Sequence, residues 1–202
     1  MIREAKEEDV DVLVTLHVNN MNKNELSMLL GVDVIREFYL YSIRDPHATV
    51  MILEDSNFVV AVSIIYTRYD LFTKKFKKML VRYFLLNFYR YIRNYKNLLV
   101  ILRKFWMGDL SKKVPHHIYN FHVGLFILDK KARENCQLVV EFVQMYRDNV
   151  KKLQQYSSNY WGSCYCSNSA SKRLMEDQGM SFFIRSPSYP EDIYIGICDV
   201  FK

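Results

Sequence analysis

The chain has 202 residues, half of them hydrophobic and a quarter charged, with a net charge of +6 and only six glycines and four prolines. That length suits one domain with its own core, and the composition excludes a disordered chain. No stretch approaches the roughly 20 apolar residues of a bilayer span, and the charged residues 1–9 lack the apolar core of a secretory signal, so the expected location is cytoplasmic.

Residues 2–5 read as a short strand. Glu7, Glu8 and Asp9 then place negative charge at a helix N-terminus, and Val12, Leu13, Leu16 and Met21 suit the buried stripe of that helix. A second helix follows Gly31, with Val34, Ile35, Phe38, Tyr39 and Ser42 at helical spacing. Asp45-Pro46 ends it, because proline disfavours helical geometry in the residue before it. A hairpin comes next: β-branched and apolar at 49–53, a turn at 54–57, and a nearly continuous apolar strand at 58–66 of the kind covered on both faces. Residues 71–106 read as two helices. Phe72, Phe76, Met79, Leu80, Tyr83 and Phe84 stripe the first; Leu98, Leu99, Ile101, Leu102 and Phe105 stripe the second; Asn87 and Asn94 interrupt. Pro115 precedes a strand at 118–128. A helix at 133–152, a strand at 160–166, a helix at 169–178 and strands at 180–184 and 193–201 complete the chain. The order β-α-α-β-β-(αα)-β-α-β-α-β-β predicts an α/β fold, a single domain over 1–202 with a mixed central sheet flanked by helices. The inserted segment, 71–108, falls between the third and fourth strands.

That insertion carries the charge. It holds ten Lys/Arg and no Asp or Glu, which leaves the rest of the chain net negative. Ten aromatics are interleaved with the basic residues. Three readings are open: a helical lid with a solvated Lys/Arg face; contact with an anionic membrane surface or a phosphate-bearing sugar; and nucleic acid, for which no recognition motif is present. An aromatic-rich insertion also suits a homodimer surface.

Four cysteines are present. Cys164 and Cys166 share one face of a strand, but no second pair exists to complete a zinc site, so they read as reduced structural thiols. His116-His117 follows Pro115 in a loop, and adjacent histidines seldom chelate one metal. No metal is expected.

Asn168, Ser171, Met175, Gly179 and Met180 have the spacing of a signature in the GNAT acetyltransferase superfamily: Asn, a small residue three on, Tyr seven on, and Gly-aromatic at eleven and twelve. Asn168 can cap a helix, Ser171 permits close approach, and Gly179 can end the helix in a left-handed conformation. Together with the element order this resembles that superfamily. Leu16-His17, Leu29-Leu30-Gly31 and Phe38-Tyr39 resemble a bacterial branch encoded among polysaccharide genes. The resemblance implies a GNAT-like fold that binds acetyl-CoA. In that family a bulge splays strand four from strand five, the pantetheine arm enters the gap, and a loop patterned Arg/Gln-x-x-Gly-x-Gly/Ala presents helix amides to the pyrophosphate. By that alignment the cofactor residues are Ile127, Leu128, Arg133, Glu134, Asn135, Cys136, Gln137, Leu138, Asn168 and Ser171. Cys136 and Leu138 stand at the glycine positions, and Glu134 adds negative charge beside the expected pyrophosphate.

His122, six residues before Leu128, occupies a place near the start of strand four where the family often carries a Glu. It is the candidate general base; the other reading is a hydrogen-bonded strand histidine. The family's acidic tyrosine is replaced by Met175, which donates no proton, with Tyr165 and Ser167 nearby. Two functions are expected from this pattern. One is an N-acetyltransferase acting on a small amine such as an amino sugar. The other is a catalytically inactive GNAT-fold binding protein that contacts a membrane or anionic partner through the basic insertion.

Overall fold

The computed structural model describes residues 1–23, 25–89, 114–186 and 192–198. Strands β1 (Ile2–Glu4), β2 (Ala48–Asp55) and β3 (Phe58–Tyr66) form an antiparallel meander. Its β2–β3 turn places Ser56 and Asn57 at φ 49° and 69°. Strand β4 (His122–Leu128) pairs antiparallel with β3, and β5 (Tyr160–Tyr165) runs parallel to β4. β6 (Phe182–Ser186) and β7 (Ile193–Cys198) close the sheet as an antiparallel pair, with β7 against β5. The order is β1-β2-β3-β4-β5-β7-β6.

Helices α1 (Val10–Asn20), α2 (Leu26–Leu30), α3 (Val32–Arg44) and α4 (Tyr69–Leu86) lie on one side; α5 (Cys136–Gln154) lies on the other, followed by α6 (Ser169–Glu176). Strand β3 shows why two layers are needed. Val62, Ile64 and Tyr66 pack with Leu13, Ile35 and Tyr39, while Ala61 and Ile65 pack with Phe142, Met145 and Val150 of α5. Both faces are buried, as the continuous apolar run requires. Arg3 ties the sheet edge together by bonding the carboxylates of Asp9 and Glu54 at 2.6–3.1 Å.

Several boundaries differ from the sequence reading. Residues 118–121 are not strand: the Ile118 amide donates to the Pro115 carbonyl at 3.0 Å, making a turn, and the Ile118 side chain plugs a cluster with Trp161, Ile195 and Ile197. In α1 the expected Leu13 and Leu16 are buried, together with Val10, Val14 and His17, whereas Val12 faces solvent. The α2 turn was not anticipated. The first inserted helix forms and ends at Leu86, with Asn87 as its C-cap. The second, over 98–105, lies outside the described residues, as do Arg90, Arg93, Lys96, Arg103 and Lys104, and as does the end of the last strand beyond Cys198. Among the described residues no helix is long and apolar enough to cross a membrane.

Candidate active-site cleft

β4 and β5 pair only at their beginnings, His122 opposite Trp161 and Val123 opposite Gly162. Beyond that they part, and the cause lies in β4. The three-residue step from Val123 to Phe126 faces a two-residue step from Ile65 to Ser63 on β3. The extra residue is a bulge at Gly124-Leu125, which bends the strand away from its partner. Glycine is required there: a Cβ on Gly124 would lie 2.7 Å from a ring carbon of Tyr66 and 3.2 Å from the Ile64 carbonyl. Gly124→Val is therefore expected to destabilise the fold by about 1–3 kcal/mol, read as a lowered midpoint in urea unfolding. Behind the bulge, Asn149 of α5 donates to both the carbonyl and the hydroxyl of Ser63, at 3.1 and 3.0 Å. This locks the helix to β3 opposite the distortion.

The gap opens into a cleft of about 550 Å³. Gly124, Phe126 and Ile127 line one wall; Ser163, Cys164 and Tyr165 line the other. Burial pushes the Cys164 thiol up to about 11, so it remains protonated near neutral pH and is a poor nucleophile. One end of the cleft is aromatic, with Phe38, Tyr66, Tyr69, Phe72 and His122. The His122 ring lies between Tyr69 and Trp161, tilted by 47° and 30° at centroid distances of 4.1 and 4.0 Å. Trp161 is held in turn by its indole N–H, which donates to the Tyr119 carbonyl at 3.0 Å. His122 is buried, and neither ring nitrogen has a hydrogen-bond partner. Desolvation drives its pKa down to about 3, so the imidazole is neutral at pH 7. His17 makes a useful contrast. It is also buried, but its nitrogens lie 3.2 Å from the Tyr39 hydroxyl and 3.0 Å from that of Ser27. One histidine is a satisfied structural residue, while the other stands in the cleft wall with both nitrogens shut off from solvent and unsatisfied.

Solved structures with this architecture exist at low identity. A GNAT-family acetyltransferase from Streptococcus pneumoniae superposes with TM-score 0.51 at 13% identity, over 98% of this chain and 96% of that one. An N-acetyltransferase from Staphylococcus aureus Mu50 gives 0.56 at 12% identity, over 98% and 97%. A ribosomal-protein-alanine N-acetyltransferase from Brucella melitensis gives 0.53 at 13%, over 98% of each chain. The chain has the GNAT fold. No family model and no curated protein matches its sequence.

At the Arg133 end of the cleft, most of the backbone amides are already paired within the protein. A 3-10 turn, Ala132–Glu134, leads into α5. Of the six amides from Arg133 to Leu138, five already donate. Those of Arg133, Glu134 and Asn135 bond the carbonyls of Asp129, Lys131 and Ala132. Those of Gln137 and Leu138 bond the Asn135 side chain at 3.0 and 3.4 Å. The Arg133 guanidinium donates to the Leu128 carbonyl at 3.0–3.2 Å while also lining the cleft. Leu138 turns into the core and so leaves its backbone, not its side chain, at the loop surface. Asn135→Ala is expected to tighten acetyl-CoA binding about fivefold by releasing two amides, while costing about 1 kcal/mol of stability as a lost cap. Calorimetric titration of both chains checks this; weaker binding in the variant means that Asn135 itself meets the ligand.

Among the cofactor residues expected from the sequence, Ile127, Arg133, Asn168 and Ser171 line the cleft, whereas Glu134, Asn135, Cys136 and Gln137 sit exposed on the loop and first turn of α5. Leu128 does not line the cleft: its side chain is buried in the core and its carbonyl accepts from Arg133. Asn168 caps α6 by accepting from the Ser171 amide at 3.0 Å, and Gly179 adopts φ 85°. Met175 is wholly buried in the α5-side core. His116 and His117 are exposed in turns, and among the described residues no group of three metal-ligating side chains gathers. The sequence reading missed Asn20. Its side chain donates to Asp129 at 3.2 Å and accepts from the Lys130 amide at 2.8 Å, tying the end of α1 to the phosphate-side loop. It also missed Tyr66, Tyr69 and Phe72, whose apolar spacing reads as core stripe.

Proposed function

We propose that the chain transfers an acetyl group from acetyl-CoA to a small primary amine. The observation that carries this reading is His122: a neutral imidazole, buried, unpartnered and set in the wall of the cleft between the splayed strands. Buried polar groups without partners are rare, and they cluster where a ligand completes them. Three further features support a fit. The β4–β5 gap leaves strand edges open to an extended arm, Arg133 and Ser171 stand at one end, and aromatic walls stand at the other. The phosphate end is only weakly built, because the Asn135 cap must yield two amides.

Acetyl-CoA supplies an activated thioester carbonyl. The protein's part is to hold the amine and manage its proton. A neutral His122 accepts a hydrogen bond from an amine N–H and aims the nitrogen lone pair along the cleft. With a pKa near 3 it does not retain a proton, so the proton passes on to solvent at the cleft mouth and the reactive amine is the neutral form. Transfer should accordingly speed up as pH rises toward the amine's own pKa. An amino sugar is a suitable acceptor, since its apolar C–H face matches the exposed parts of Phe38 and Tyr69. Calorimetric titration with acetyl-CoA, followed by thiol release in the presence of glucosamine, tests the reading. Heat at about 100 μM ligand is expected, and its absence sinks the proposal.

A further inference from the structure

Helix α4 has a face that neither the core nor the cleft uses. Its inward stripe, Phe72, Phe76 and Leu80, packs against α2 and α3. Its outward face carries Lys74, Lys78, Val81, Arg82 and Leu85, with Lys75 and Leu86 on the margins. All seven are exposed; Leu85 is 67% accessible and Leu86 76%. After Asp70 the helix has five basic residues and no acidic one. An ordinary solvated face mixes charge signs and keeps large aliphatic side chains inward. This face does neither. Basic residues dominate its first half and aliphatic ones its second.

We propose that α4 lies on an anionic lipid surface, its lysines at the headgroups and Val81, Leu85 and Leu86 in the acyl boundary. Charge complementarity favours such a surface, and basic–apolar helices of this kind lie along an interface without crossing it. A second copy of the chain suits the face poorly, because its four like charges oppose their copies. Nucleic acid suits it poorly too, because Val81, Leu85 and Leu86 offer bases nothing to stack on. Tyr69 and Phe72, in the first turn of the same helix, line the cleft. Docking therefore brings the aromatic end of the cleft within about 20 Å of lipid along the helix axis. This inference stands apart from the acetyl-transfer reading and is tested without it.

The full chain is sedimented with vesicles of phosphatidylcholine containing about 30% phosphatidylglycerol, and with phosphatidylcholine alone. Binding to the anionic vesicles only is expected, weakening as salt rises from about 0.1 M to about 0.5 M. Lys74→Glu/Lys75→Glu/Lys78→Glu/Arg82→Glu should lower partitioning by at least about a hundredfold. Leu85→Ser/Leu86→Ser, which leaves every charge in place, should lower it about tenfold. Thermal unfolding confirms that each variant remains folded, and if the quadruple variant does not, the Leu85/Leu86 pair carries the test. No pelleting with anionic vesicles, equal pelleting with neutral ones, unchanged partitioning of a folded variant, or tighter binding to a single-stranded oligonucleotide than to vesicles overturns the proposal.

Discussion

His122→Phe is expected to raise the stability of the fold and to lower acetyl transfer by about a hundredfold or more. The two effects have separate origins. Both imidazole nitrogens are buried without partners, and each unsatisfied group costs about 1–3 kcal/mol. Phenylalanine keeps the ring contacts with Tyr69 and Trp161 and removes both nitrogens. A net gain of about 1–2 kcal/mol follows, or a few degrees in Tm for a chain of this size. The activity falls because the imidazole that accepts the amine's hydrogen bond is gone, and a positioned acceptor contributes about 10²–10⁴ in rate. Thermal unfolding and thiol release on the same preparation read both numbers. A fall in stability would show that the ring is paired in solution, and His122 would then be a structural strand histidine.

Acid is expected to weaken the fold well before the carboxylates titrate. Burial depresses His17 to about 4 and His122 to about 3, against an ordinary value near 6.5. Between those limits the unfolded chain binds protons that the folded chain refuses, so stability is complete above pH 6.5 and is lost as pH falls toward 3–4. At pH 5 each histidine accounts for about 2 kcal/mol, or roughly 4 kcal/mol together, a large share of a typical folding free energy. Urea unfolding at pH 7.5 and pH 5 measures the difference. His122→Phe should remove about half of it, because His17 alone then titrates. A loss that the variant leaves unchanged would place the acid sensitivity elsewhere.

These two histidines also show what could be read in advance. The sequence placed His122 near the start of the fourth strand, and the structure has it there in the cleft wall, with Val123 in the α5-side core. The strand order, the Asn168 cap and the left-handed Gly179 follow from local rules of propensity and turn chemistry. Trp161, Tyr69 and Asn20 do not. Each acts on a partner tens of residues away, and no spacing within the chain pairs position 20 with 129 or position 69 with 122. The resemblance implied a bulge in this strand but not its position, because Gly124 becomes necessary only once the Tyr66 ring lies against it. The capture of the Gln137 and Leu138 amides by Asn135 is a local event, the ordinary behaviour of an asparagine at a helix N-cap, whereas the resemblance assigned Asn135 to the cofactor loop.

Met175 lies at full burial beneath Gly162, with its methyl carbon 3.4 Å from where a Cβ on that glycine would stand. A tyrosine installed there would enter the core and could not present its phenol to the cleft. For any acyl transfer in this cleft, then, α6 offers no proton to the departing group at that position. A leaving group that is already a stable anion depends least on such a proton. Thiols, with a pKa near 8.5, meet that condition better than alcohols do. Leaving-group chemistry at this position thus favours a thioester over an oxygen ester as acyl donor, whatever the two ends of the cleft are able to bind.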